Sequence, residues 1–211
     1  MRRGKFEAVK KAKALGNKDE NKQCLGFTKT VLLYLHDLVY LLGFILLALL
    51  LVLRVVVVSG SSMNPTLIGG DYLLLISTPF SGSPQYGDIV VASKDSFEDG
   101  EPIIKRVIAV AGQTVDIDFS NGTVYVDGVA LHEEYIKGST TLDEGTQFPL
   151  VVEPGCVFVL GDHRGRSQDS RSPLIGLIDP REILGKAFFL FLPGADEDTK
   201  VRDFSRIGGL S

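Results

Sequence analysis

Ser62 lies in Ser59-Gly60-Ser61-Ser62-Met63-Asn64-Pro65-Thr66-Leu67, a small, hydroxyl-rich stretch that Pro65 stiffens just beyond the serine. A stiffened hydroxyl loop flanked by apolar Met63 and Leu67 suits a nucleophile beside a shallow apolar pocket, with backbone amides as oxyanion donors. The plain alternative is a flexible linker. A serine nucleophile needs a base. His36 falls in a long apolar run, and His132 falls in LHEEY, which lacks HExxH zinc spacing and sits in a turn-rich segment. His163 follows Asp162, but neighbours on an extended chain point apart, so Asp162 is poorly placed to orient it. A Ser62–His163 dyad is one reading. Lys105, in IIKRVIAV, is the stronger one. In a strand it shares a face with Ile103 and Val107, and burial among them disfavours the ammonium, leaving an amine able to take a proton from serine. Arg106 then points to the opposite face, to stay hydrated or paired. The pattern equally fits Lys105 as an edge-strand charge that discourages aggregation. A third cluster, GDHRGRSQDSR from Gly161 to Arg171, reads either as a solvated loop or as a site component. In the second case Asp169 and Arg171 pair to pin the loop and Ser167 holds the lysine amine.

These groups need elements to position them. The chain has 211 residues, no Trp and two cysteines, Cys24 and Cys156, on either side of the apolar run. A disulfide framework is excluded, so the fold rests on a hydrophobic core. Val31 to Leu53 would rise about 35 Å as a helix, enough for a hydrocarbon core of about 30 Å. It has no polar face after Asp37, as a buried core helix should, and it starts too late and runs too long for a cleaved secretory signal. Residues 1–30 carry nine basic against three acidic side chains, a net +6, and residues 59–211 carry −10. Basic residues before a membrane span predict a cytoplasmic N-terminus with everything after Arg54 outside. No aromatics interleave with the basic residues as a nucleic-acid arm would need.

Beyond the span the pattern is β. Val55–Val58 reads as a short strand leaving the membrane. Tyr72–Ile76, Asp88–Ala92, Ile103–Val110, Thr114–Phe119, Thr123–Val126, Val157–Leu160 and Leu184–Leu192 read as further strands, with Asn121-Gly122 as a hairpin turn. Residues 79–87 read as loop, residues 132–150 as a flexible surface loop or lid, and the stretch after Pro193 as a mobile polar tail. The predicted fold is mostly β: a compact, barrel-like body of antiparallel strands behind one N-terminal transmembrane helix. The expected domains are a basic cytoplasmic tail (1–30), an anchor with exit strand (31–58), a catalytic β domain (59–193, with a small hairpin or loop insertion at about 113–151) and the polar tail (194–211).

With SGSSMNPTL, GDYLLL, YGDIVV, IIKRVIAVAGQTV, PGCVFVLGDHRGRSQDSR and GKAFFLFLP in this order behind one apolar span, the chain resembles the bacterial type I signal peptidases. These are membrane-anchored Ser/Lys proteases that remove signal peptides from exported proteins. The resemblance makes Ser62 the nucleophile and Lys105 the general base. It makes Ser167 the residue that orients the lysine, and Asp162, Asp169 and Arg171 the supporting charges of the last segment. Met63, Leu67 and Ile104 would line the pockets that accept Ala-x-Ala. Gly60 stands where some relatives have a second oxyanion-donating serine, and His163 where the family usually has asparagine. The insertion between Gln113 and Val151 is short, so the large accessory domain of some relatives would be missing or reduced to a hairpin. The resemblance implies no metal or organic cofactor. The partners it implies are preprotein signal peptides and a lipid bilayer, not nucleic acid. Two other classes stay open: a Ser/Lys self-cleaving repressor, against which the membrane span argues, and a catalytically silent tethered β module that binds extended peptides.

Overall fold

The computed structural model describes residues 29–97, 100–196 and 199–210. Most of the expected basic tail, with Cys24, lies outside the described residues. The chain divides into two compact units, residues 1–50 and 51–211. The described part of the first belongs to helix α1 (Lys29–Val52), whose mean hydropathy of 2.4 and 24-residue length suffice to cross a membrane. None of its most apolar window is buried within the chain, as a helix solvated by lipid requires. The helix stops one residue earlier than the apolar pattern predicts. Leu53 already pairs with Ile76, and the β-branched valines that follow carry the strand on.

The second unit is built on a seven-stranded antiparallel sheet. Its members are β1 (Leu53–Val57), β2 (Tyr72–Ser77), β3 (Ile89–Ala92), β4 (Ile103–Val110), β9 (Val157–Leu160), β10 (Ile183–Leu192) and β11 (Gly208–Gly209). The order is β1-β2-β10-β3-β4-β9, with β11 added on β10. A second, four-stranded sheet has the order β7-β6-β5-β8, from β5 (Thr114–Asp118), β6 (Thr123–Val126), β7 (Val129–Ala130) and β8 (Leu150–Val151). The expected hairpin is therefore the centre of a small sheet. A single helical turn, α2 (Thr78–Ser81), occupies part of the stretch expected as loop, with a proline in its first turn.

Two-residue periodicity explains why β3 and β4 read as nearly unbroken apolar runs. Ile89 and Val91 face one core cluster with Met63, Leu67, Leu73 and Leu75, while Val90 and Ala92 face another with Val107, Val159 and Ile175. Both faces of β3 are covered, so it has no polar position, whereas β4 breaks its apolar run only at Lys105 and Arg106. A third cluster joins the small sheet to β4 and β9 through Ile108, Val115, Val124, Phe158 and Leu160.

Two expectations fail here. Residues 132–150 are not a loose surface loop. Glu133 ion-pairs with Arg164 at 2.6 Å, Thr140 is fully buried, and the Thr146 amide donates to the Arg171 carbonyl. Nor does the chain after Pro193 hang free, because Gly208–Gly209 pairs with β10 and Arg206 binds Asp71 at 2.7 Å. Polar composition misled in both places, since hydrogen bonds and ion pairs hold these segments together with a few apolar anchors, Phe148 and Leu150 in the first and Leu210 in the second.

Candidate active site

Ser62 stands in the connection from β1 to β2, which folds as nested turns. The Asn64 amide donates to the Ser61 carbonyl (3.2 Å), the Leu67 amide to Met63 (2.9 Å) and the Gly70 amide to Val58 (2.9 Å). Met63 and Leu67 are 1% and 0% exposed and root the loop in the core. A flexible linker is thereby ruled out. Gly60 has φ +83°, a left-handed conformation that disfavours any side chain, so its identity has a backbone reason.

Lys105 enters from β4. It is 5% exposed, and its Nζ donates to Ser62 Oγ at 2.9 Å. On the opposite side of the strand Arg106 is buried, not hydrated. Its Nε and Nη2 each lie 2.9 Å from the Asp162 carboxylate, its Nη1 reaches the Gly87 carbonyl, and its guanidinium sits 4.1 Å over the Tyr135 ring. Burial works against the Arg106 charge, and the Asp162 hydrogen bond and charge override it, leaving its pKa above the ordinary arginine value. Asp162 also accepts from the Thr66 hydroxyl. Thr66 thus joins the Ser62 loop to the strand that carries Lys105.

The segment after β9 supplies the remaining parts. The His163 amide donates to the Ser62 carbonyl at 2.9 Å, and its Nδ1 donates to the Ser61 carbonyl at 3.2 Å. Because a carbonyl only accepts, that bond requires a proton on Nδ1. The histidine ring therefore grips the backbone of the Ser62 loop, not the Ser62 hydroxyl. Asp169 and Arg171 pair as expected, with Nε to Oδ1 at 2.8 Å and Nη2 to Oδ2 at 2.9 Å. Arg171 Nη2 also reaches the carbonyls of Arg164 and Ser167, and Asp169 accepts from the Gly161 amide. The solvated-loop reading fails, since Asp162, Arg164, Asp169 and Arg171 are all fully buried.

Ser167 is 3% exposed, and its hydroxyl makes a long contact of 3.4 Å with the Gln168 carbonyl. Its place is fixed by Gly161. A Cβ there would lie 2.1 Å from Ser167 Oγ and 2.6 Å from the Ser62 carbonyl. Pattern reasoning gave no role to Gly161, Thr66, the ionic partner Glu133 or the ring of Tyr135. A glycine directly after a buried strand was the one available signal for the first.

A groove of about 520 Å³ opens over the pair, walled by Val55–Met63 on one side and Glu101–Lys105 on the other, with Arg166 and Gln168 at its rim. Met63 and Ile104 line it, whereas Leu67 does not and belongs to the core. Among the described residues no group of three or more His, Cys, Asp or Glu side chains is disposed to hold a metal ion.

A family model described as signal peptidase, peptidase S26, matches residues 31–192. The chain belongs to this family. Membership in the signal peptidase family makes it a peptidase, hence a hydrolase. The probable signal peptidase I-1 of Synechocystis sp. is 38% identical over 148 residues, which is 65% of this chain and 70% of that one. The signal peptidase I of Bacillus licheniformis is 36% identical over 144 residues, covering 64% and 75%. Among solved structures, a signal peptidase I from Enterococcus faecalis has 31% identity and a TM-score of 0.40, covering 50% of this chain and 97% of that one.

Proposed function

We propose that the chain is a signal peptidase I that cuts preproteins by acyl transfer through Ser62 and Lys105. The observation that carries this reading is the 2.9 Å contact between Lys105 Nζ and Ser62 Oγ at the floor of the groove. A lysine 5% exposed and flanked by Ile103, Ile104 and Val107 is desolvated, which favours the neutral amine. Neutral Lys105 accepts the hydroxyl proton as Ser62 attacks the scissile carbonyl. The Ser62 amide stabilises the oxyanion. Lys105 then protonates the leaving amine, and water resolves the acyl-enzyme. Ser167 and the Asp169–Arg171 pair orient the lysine, while Asp162 fixes Arg106 and Thr66. Gly60 gives the loop its turn, with no side-chain hydroxyl to add to the hole.

The groove favours an extended substrate. β1 is the end strand of its sheet, and pairing of β4 with β9 begins only at Arg106. A peptide laid between Val55–Ser61 and Glu101–Lys105 would present backbone to backbone and small side chains to Met63 and Ile104, suiting Ala-x-Ala ends. The apolar α1 anchors the chain in the cytoplasmic membrane, and the basic residues before it put the N-terminus in the cytoplasm and the catalytic unit outside.

The test is cleavage of a signal-peptide-bearing preprotein by the full chain in detergent or lipid. Wild type should cut after Ala-x-Ala, slow sharply when either Ala is replaced by a bulky residue, and lose activity with Ser62→Ala. A wild type that binds the preprotein without cutting it would instead make the chain a tethered peptide-binding module.

A further inference from the structure

Among the described residues, the only buried carboxylate oxygens without a well-formed hydrogen bond are those of Glu144. Its side chain is 11% exposed, and its nearest charge is Arg171 Nη2, 3.3 Å from Oε1. That guanidinium is already committed to Asp169 and to the carbonyls of Arg164 and Ser167. Glu144 is therefore a second acid set against a neutralised pair. Its position is not an accident of a loose segment, because the backbone is stitched down on both sides. Arg171 Nη1 donates to the Leu142 carbonyl at 3.2 Å, and the Thr146 amide donates to the Arg171 carbonyl at 2.9 Å.

Glu144 also faces the catalytic side. It lines a cavity of about 390 Å³ together with Arg166, Ser167 and Gln168. Arg166 and Gln168 line the substrate groove as well, where Lys105 lies. Arg166 and Gln168 are thus common to the cavity that holds Glu144 and the groove that holds Lys105. Resting on the Ser62–Lys105 reading, we propose that Glu144 is a positioning residue for the catalytic lysine, setting the charge around Lys105 and, through Arg171, the placement of Ser167.

The groups facing Glu144 are Asp169 and Arg171 from the segment after β9, Lys105 from β4 and Arg166 on the cavity rim. Burial first, then the Asp169 charge, pushes the Glu144 carboxyl above the ordinary glutamate value, and Arg171, the Asp169 backbone amide and, least, Lys105 pull the other way. In its ionised form Glu144 favours the Lys105 ammonium over the neutral amine. Removing that charge moves the Lys105 titration to lower pH.

The same shift has a stability consequence of fixed sign. An acid held above its unfolded value by the fold keeps its proton longer folded than unfolded. Stability therefore falls as pH rises from the unfolded value through the folded one, and the loss persists above it. Glu144→Gln lifts that penalty, so its melting temperature relative to wild type should climb across that window.

The experiment measures kcat/KM against pH on a signal-peptide-bearing preprotein, with melting curves, for the full chain in detergent. Wild type, Glu144→Gln, Glu144→Leu and Glu144→Asp are compared. Both neutral variants should shift the acid limb toward acid by roughly half a unit or more, while Glu144→Asp, which keeps the charge, leaves it near wild type. An unmoved or alkaline-shifted limb in the neutral variants overturns the proposal, as does an equal shift in Glu144→Asp. Loss of fold in one neutral variant leaves the other to decide, and loss in both shows a purely structural residue and overturns it too. If wild type does not cut, or Lys105→Met keeps the limb, the Ser62–Lys105 reading itself has failed.

Discussion

At Gly161 the chain has room for a hydrogen and nothing larger. A methyl there would meet Ser167 Oγ at 2.1 Å, Ser167 Cβ at 2.4 Å and the Ser62 carbonyl at 2.6 Å. Two of the three neighbours belong to the Ser167 side chain and the third to the Ser62 backbone. Gly161→Ala should therefore lose stability by about 1–3 kcal/mol through overpacking. It should lose kcat by a larger factor than that destabilisation explains, because the displaced atoms are those that place Ser62 and Ser167. Thermal melts beside initial rates measure both, and a variant with wild-type kcat would show that the close approach is not needed. His163 makes the complementary case. Its identity drew attention as a second base, yet its amide and Nδ1 both bind loop carbonyls.

β4 explains how one short element can carry the site. Alternation sends Lys105 to the groove and Arg106 to the opposite face, where the buried Asp162 pair and the Thr66 hydroxyl tie strand, nucleophile loop and last segment together. A pair so deeply buried contributes more to fixing one arrangement than to net stability, since desolvation offsets much of the attraction. The last residues add a second tie. Arg206 binds both oxygens of fully buried Asp71, at 3.0 and 2.7 Å, and donates to the Thr66 carbonyl at 3.1 Å. Arg206→Ala should cost about 1–3 kcal/mol by leaving Asp71 under-satisfied, and it should lower kcat by loosening the loop end that Thr66 marks. A melt unchanged from wild type would contradict this. Strands and hairpin were legible because periodicity and Asn121-Gly122 are local signals. The order of the sheets, the seating of residues 132–150 and the return of Gly208–Gly209 were not, because they depend on partners far along the chain. Among the proposed site residues, Ser62 and Lys105 stood out by chemical type. Arg164 looked like a solvent charge and proved buried, and Glu144 proved largely enclosed, as only their distant partners decide.

Across the whole molecule, an apolar helix and a β body share one chain whose charge changes sign between its ends, +6 before the apolar run and −10 after it. Tethering an enzyme to the membrane that its substrate crosses replaces a three-dimensional search with a local one. That arrangement matters only if the body performs the chemistry, so the central claim is that Ser62 is acylated with Lys105 as its base. The most direct test is single-turnover cleavage of a preprotein by the full chain, comparing wild type with Lys105→Met and His163→Ala. The methionine roughly keeps the side-chain volume and removes the amine, and melting curves confirm that each variant is folded. The account predicts that Lys105→Met is slowed by about a thousandfold or more while His163→Ala still cuts. Cleavage retained by folded Lys105→Met and lost in folded His163→Ala would contradict it and make His163 the base.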